Sequence, residues 1–458
     1  MALQPVQPAR IQQLNDHEPK KGLYVLYWMQ QSQRSEYNHA LEYAVQQANA
    51  FGQGVVVGFG LMDAYPEANL RHYAFMFEGL HETQASLAEQ GIKMVIRRGA
   101  PADVALKLGR EASLIVCDRG YLGHQKIWRS QVACSAPCPV VQVESDAVVP
   151  VEVVSNKAEY AARTIRPKIY KHLNDYLIPF KSGVAEKSSL DLKISSLDLN
   201  KVGAVLNKSS LDSSVAPATR FFKGGTSQGK ARFDKFINEQ LYHYVENRNQ
   251  PQFDDISHMS PYLHFGQISP IYLALQIKVA DSRFKEAQEA YLEELIVRRE
   301  LAMNFVNYSP NYDTYACLPQ WAQKTLNQHQ KDKREYVYSR SRLENAQTHD
   351  EYWNAAMREM KTTGFMHNYM RMYWGKKILE WSKTPQEAFR TTLAINNKYF
   401  LDGRDPSSYA GVAWVFGMHD RAWFERPIFG KIRYMAASGL ERKCDIRGYV
   451  QKVDSLAR

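Results

Sequence analysis

The chain is poor in cysteine, with five in 458 residues (Cys117, Cys134, Cys138, Cys317 and Cys444). That number is odd and the positions are scattered, which makes reduced thiols a better reading than a disulfide framework. Cys134 and Cys138 form a C-x3-C pair, but no second Cys/His pair stands nearby to complete a metal site. Long apolar runs are also missing, so a membrane-spanning helix is not expected, and the first residues lack the charged-then-apolar order of a leader. Behind the first apolar run there is neither G-x-G-x-x-G nor a Walker loop, which argues against a dinucleotide or nucleoside triphosphate there. Acidic residues are in deficit, 48 against 58 Lys and Arg, leaving a formal charge of +10. A polyanionic partner would account for that excess, although solubility alone could do so.

At this length the prior is two domains. Hydrophobic residues make up 45% and aromatics 12%, with 27 tyrosines, so burial suffices for stable cores. Residues 1–20 are polar and proline-bearing and read as a loosely held arm. Apolar β-branched runs follow at 23–27, 55–59, 93–97, 113–117 and 140–144, separated by helical patterns such as 37–50 and 70–89. Strands at this spacing predict a parallel sheet with helices on both faces and a crevice at the strand C-termini. From 180 to 225 the composition turns Ser/Lys-rich and SSLD occurs three times, at Ser188–Asp191, Ser195–Asp198 and Ser209–Asp212. This predicts an extended linker. Beyond it the periodicity is helical. The expected division is an α/β domain over 1–175, a linker over 176–225 and an all-α domain over 226–458.

Within the helical part, Trp353, Trp374 and Trp381 lie in one strongly periodic stretch. Met370, Trp374, Lys377, Ile378 and Trp381 share a helix face. His367, Arg371 and Trp374 sit four and three apart, which puts a cation beside an indole. An interior Arg371 needs an anion, and Asp402 and Asp405 in the following LDGRDP loop are candidates. The plainer reading of this stripe is an aromatic helix–helix core. Ser257 and Ser260 precede a proline-started helix, either as ordinary caps or as an anion site at a helix start.

Several long motifs, in order, resemble the photolyase/cryptochrome family. S-x-x-S-P-Y-L-x-F-G-x-I-S, from Ser257 to Ser269, is similar to that family's flavin pyrophosphate segment. Tyr291–Phe305 resembles its lesion-pocket helix, and Met366–Trp374 and Leu401–Trp414 its ring-contacting segments. HDRAWFERPIFGKIRYM, from His419 to Met435, resembles the class II branch that acts on cyclobutane pyrimidine dimers. The match runs from about residue 20 to 445, omitting the linker. It implies a Rossmann-like, antenna-type N-terminal domain and an all-α domain that binds FAD and DNA.

By that resemblance Tyr244, Arg248, Ser257, His258, Met259 and Ser260 would hold the diphosphate and ribityl parts of FAD. Asn368, Arg371, Asp402 and Asp405 would surround its rings, with Asn396 facing N5, where a carboxamide can donate or accept. Plainly read, Asn396 would cap a helix end. Glu294, Met372 and Trp414 would form the lesion pocket. Glu294 could equally make an ordinary ion pair with Arg298 or Arg299. Some photolyases carry Trp where Val297 or Arg298 stands here, so that wall departs from the pattern. Arg421 and Arg433 would support DNA around an extruded lesion, helped by Lys431, Arg426 and Arg442 among aromatics. Trp374, Trp353 and Trp381 would carry electrons from the surface to the flavin, Trp374 nearest the ring.

The resemblance thus implies light-driven cleavage of cyclobutane pyrimidine dimers in DNA by an electron from excited FADH⁻. A second chromophore, a deazaflavin or a folate, would sit in the N-terminal sheet; the residues do not choose between them. The expected protein is a cytoplasmic monomer without an obligate protein partner, nucleoid-associated or nuclear according to its host. The alternative is a blue-light photoreceptor without repair, which the joint presence of Glu294, Met372 and Trp414 disfavours. A cofactor-free, basic nucleic-acid-binding protein would leave Arg371, Asp402 and Asp405 unexplained.

Overall fold

The computed structural model describes residues 5–63, 65–201 and 211–456. Six strands form one sheet in the order β1-β6-β5-β2-β3-β4: β1 (Ile11–Gln13), β2 (Tyr24–Trp28), β3 (Gly54–Leu61), β4 (Lys93–Arg98), β5 (Ala112–Asp118) and β6 (Val140–Val143). β2 to β6 are parallel, as their continuous apolar runs predict for strands buried on both faces. Helices α1 (His39–Ala50), α2 (Leu70–Glu89), α3 (Pro101–Gly109) and α4 (Gly123–Ser135) make the crossovers. Chain order reverses between β2 and β5, and a crevice opens there, lined by Trp28, Gln31, Cys117, Asp118 and Trp128 among others.

One sequence expectation is corrected here and a second is given its place. The N-terminal arm is held, because β1 pairs antiparallel with β6 and the buried Arg10 donates to the carbonyls of Glu144, Ala147 and Val148. Five guanidinium hydrogens can satisfy several carbonyls at once, a capacity that composition does not reveal. The linker, in turn, is laid along the exposed edge of the sheet. Ser189 N donates to Gly91 O and Leu197 N to Ile96 O, so the first two SSLD repeats cover β4. Of the third repeat, Ser209 and Ser210 lie outside the described residues.

The C-terminal half is a set of packed helices, of which five position the site: α5 (Arg299–Tyr308), α6 (Glu351–Thr363), α7 (Asn368–Trp381), α8 (Pro385–Tyr399) and α9 (Pro406–Val415). Their ends follow local chemistry. Asp350, His367, Thr384 and Asp405 accept backbone N–H bonds at the starts of α6 to α9. Gly364 ends α6 in the left-handed region, and an added Cβ there would stand 2.8 Å from Leu401. Buried arginines join the two halves: Arg71 of α2 donates to the carbonyls of Ala216, Met360 and Tyr399, and Arg34 to Gly266 O. Among the described residues no helix is long and apolar enough to cross a membrane, and no His/Cys/Asp/Glu group could hold a metal ion.

Candidate active site

Arg371, in the first turn of α7, makes the ion pair that its position demanded. Its two terminal nitrogens donate to the Asp402 carboxylate at 3.1 and 3.0 Å, and Nε donates to Met366 O. The bidentate geometry is the strong form of this contact. The rings under the guanidinium are Phe400, 4.0 Å from its centre, and Phe365, at 5.3 Å. The sequence had placed Trp374 beside this cation; instead Phe400 lies under the guanidinium and meets the indole edge-on at 6.2 Å. Phe365 also touches the His258 ring at 4.7 Å, so the 257–260 segment reaches the same neighbourhood. Asn396 accepts the Phe400 N–H at the end of α8, and its side chain is buried. Asp405 starts α9 and faces His264 at 3.5 Å. Burial works to raise the Asp405 carboxyl, but His264 and Arg299 outweigh it and hold it below the usual range.

Not every expected residue joins this group. Asn368 is exposed at the start of α7. Ser260 is the first residue of a five-residue helix that Met259 caps through no side chain, so a serine cap on a longer helix is not what forms. His258 sits just before it at φ +54°, with Nε2 donating to Asp254 at 2.9 Å. Tyr244 packs edge-on against Tyr291, which donates to Ser257 Oγ at 3.2 Å.

A second group forms where the helix ahead of α5 widens. Residues Glu293–Arg298 make a π-helical turn, a local widening of the helix often seen at functional sites. It breaks the i, i+4 relation that sequence spacing assumes. Glu294 therefore pairs with Arg248 at 3.2 Å, while Arg298 pairs with Glu293 and Arg299 donates to Asp146 O. Arg298 also lies over the Trp414 ring at 5.6 Å, a cation against an aromatic face. Met372 is partly buried on α7. Lys376, unnoticed in the sequence, is fully buried and donates to Val415 O at the end of α9. Burial lowers its amine to about 7, with Arg433 adding to the effect and Asp420 opposing it.

Beyond α9 the chain forms a tight excursion from His419 to Arg433. Trp423 N donates to Lys431 O, Arg426 bridges Gly430, and Ile428 N donates to the Asp332 carboxylate. Its Trp423 ring is clamped between Arg421 at 5.1 Å and Arg433 at 5.3 Å. Phe424, at the next position, is 90% exposed. The loop is tied back to the pocket by His419, whose Nδ1 meets Tyr160 O and whose ring packs on Phe305 of α5.

Residues 25–185 match the family model described as DNA photolyase. The chain is 50% identical over 450 residues to the deoxyribodipyrimidine photo-lyase of Methanothermobacter thermautotrophicus, covering 98% of both chains. It belongs to the DNA photolyase family. It is likewise 38% identical to the deoxyribodipyrimidine photo-lyase of Arabidopsis thaliana, over 98% of this chain and 94% of the relative. The fold is that of a class III photolyase from Agrobacterium tumefaciens (TM-score 0.73, 18% identity, covering 95% of this chain and 87% of the other). A Synechocystis cryptochrome shares it too (TM-score 0.69, 16% identity, covering 96% and 87%).

Photolyase membership implies a flavin, and the residues of the first group fit one. Three buried polar atoms on residues around Phe365, Arg371 and Phe400 have no protein partner: His258 Nδ1, His367 Nε2 and Trp374 Nε1. Buried polar groups are normally satisfied, so these are open positions for a polar cofactor. Burial lowers the His367 imidazole to about 3, which leaves it neutral. The three indoles are brought together: Trp353 Nε1 donates to Trp374 O at 3.0 Å, and the Trp353 and Trp381 rings meet at 5.6 Å. All three are buried, so Trp381 is not a surface residue. Tyr338 and His349 cover it, each within 5.4 Å, and Tyr336 stacks on His349 at 3.7 Å as the outermost ring. The contributions of Phe365 and Phe400 were missed because they come from separate elements and share no spacing.

Proposed function

We propose that this photolyase binds FAD in the neighbourhood of Arg371, Asp402 and Asn396, and uses light to split cyclobutane pyrimidine dimers in DNA, in the manner of the class II branch. The observation that carries the reading is the convergence of that ion pair with the open polar atoms of His258, His367 and Trp374. Bound FAD, fully reduced, would supply light absorption and one electron that returns after the ring splits. Arg371 and Asp402 orient the rings, and as a closed ion pair they leave no buried charge uncompensated. Tyr244, Arg248 and the 257–260 segment would hold the diphosphate end. Glu294, held by Arg248 as a carboxylate, can accept from the imide N–H edge of the pyrimidine. Trp414 under Arg298 gives apolar contact to a dimer that has lost its aromaticity and keeps water away. Arg421, Arg433 and the aromatic loop would carry the opened duplex.

The crevice between β2 and β5 has about 20 Å³ of free space, enough for about one water and not for a deazaflavin or folate in this arrangement.

The test is illumination of the purified, reduced protein with an oligonucleotide carrying one thymine dimer, following the return of thymine absorbance. Light-dependent recovery is expected. Bound FAD without recovery would reject repair and favour the photoreceptor alternative, and no bound flavin would reject both.

A further inference from the structure

Asn396 is joined to a chain of side chains whose polarity is set by a backbone group. The Arg404 backbone N–H donates to Asn397 Oδ1 at 3.1 Å. A backbone amide can only donate, so that atom is the oxygen, and the other end of the Asn397 carboxamide is its NH₂. That NH₂ meets the Glu67 carboxylate, which can only accept. The Asn396 atom 3.0 Å from Asn397 Oδ1 must therefore be a donor, its Nδ2. The same Nδ2 also meets Ser408 Oγ. With both hydrogens directed away, the Asn396 carbonyl oxygen is the group left to face a ligand.

The surroundings hold this arrangement. Asn397 and Arg404 are buried, and Arg404 adopts φ +68°, a costly conformation for a residue other than glycine. Its guanidinium donates to Asn397 O at 2.7 Å, gripping the same residue a second time. Gly403 lies so close that an added Cβ would be 3.0 Å from Asn397 Cα. Glu67 comes from the other domain, on the exposed connection between β3 and α2. His72 of α2 reinforces the junction. Its Nδ1 accepts from Asn69 N, and its Nε2 meets Phe400 O at 2.9 Å and the Arg404 guanidinium at 3.1 Å.

We propose that Asn397 and Glu67 are positioning residues that lock the Asn396 carboxamide with its oxygen toward the flavin, so that the N-terminal domain biases the bound flavin toward its reduced form. The proposal rests on the reading that Asn396 faces flavin N5. A carbonyl oxygen there accepts from an N5–H, present when the ring is reduced, and opposes the bare lone pair of the oxidised ring. Sequence alone left Asn396 free to donate or accept; the locked network removes the donating orientation. Without the lock the carboxamide can turn and donate to the oxidised ring.

The experiment is a reductive titration of FAD-loaded protein, reading the two-electron midpoint potential, on Glu67→Ala, Glu67→Gln, Asn397→Ala and Asn396→Ala. Glu67→Ala and Asn397→Ala are expected to lower the reduced-to-oxidised ratio at fixed potential about five-fold, which is about 20 mV. Glu67→Gln keeps an acceptor for Asn397 and is expected to retain the wild-type midpoint. Wild-type midpoints in Glu67→Ala and Asn397→Ala, with a shift in Asn396→Ala, would overturn the positioning role and leave Asn396 facing the ring. No shift in any of the four would overturn the placement of Asn396 as well. Should Asn397→Ala fail to fold or load, the exposed Glu67 pair decides alone.

Discussion

Glu294 and Trp414 show how much a single side chain's role depends on its partner. Held by Arg248, the Glu294 carboxylate lies between the residues expected at the FAD diphosphate and those expected at the lesion. Glu294→Gln keeps a hydrogen-bonding edge but ends the ion pair. It is expected to lower repair per absorbed photon several-fold with FAD content nearly unchanged, measured by actinometry against flavin absorbance. Trp414→Ala removes the ring under Arg298. About ten-fold weaker binding of dimer-bearing DNA is expected, roughly 1.4 kcal/mol, with intact DNA unaffected. Equal losses on both DNAs in a gel-shift titration would exclude a lesion-specific role for Trp414.

At the scale of elements, α6 and α7 matter as a pair, because the indole of one helix is bonded to the backbone of the other. Trp374 and Trp381 lie two turns apart on α7, about 10 Å along its axis, and Trp353 of α6 bridges that interval. If the indoles only pack, Trp353→Phe costs some stability and leaves flavin photoreduction intact. If they relay electrons, Trp353→Phe folds, binds FAD and loses most blue-light photoreduction with an external reductant, while chemically reduced enzyme still repairs. The relay outcome is expected. The loop after α9 has its own test. Arg421→Ala or Arg433→Ala should shallow the slope of log affinity against log salt by about 0.7–0.9 if the cation neutralises one phosphate. An unchanged slope would assign that arginine to clamping Trp423 alone.

Across the whole molecule, Glu300 is a joint between the domains. From α5 its carboxyl accepts the N–H groups of Val148 and Val149 at 2.6 and 3.2 Å, where the sheet domain hands over to the helices. Burial raises it to about 8, from an ordinary 4.5, and Glu144 adds to the rise against the pull of the two N–H groups and Arg299. Between those two values the unfolded chain has released a proton that the folded protein keeps, so stability falls as pH rises. Glu300→Gln keeps the two accepted bonds and removes the titration. Wild type is expected to lose a few kcal/mol of stability from about pH 5 to about pH 8, and Glu300→Gln to show a flatter profile in urea melts. Parallel profiles would place the pH dependence elsewhere.

What the sequence determined by itself was whatever depends on near neighbours. Apolar runs buried on both faces specified five parallel strands. The stripe on α7 gave the face that carries Trp374 and Trp381, and an interior Arg371 required an anion within reach, found at Asp402. Long ordered motifs carried the family. Tertiary structure decided whatever depends on groups distant in the chain or on a break in periodicity. The π-helical turn at Glu293–Arg298 passed Glu294 from its helical neighbours to Arg248, an exchange that regular spacing cannot express. Arg10 pinned an arm that composition read as loose, because its carbonyl partners lie more than 130 residues away. The orientation of Asn396 was fixed by a backbone N–H at Arg404 and a carboxylate at Glu67, 330 residues from Asn397. Hydrogen-bond polarity is a property of the assembled network, so it is set only when those distant donors and acceptors meet.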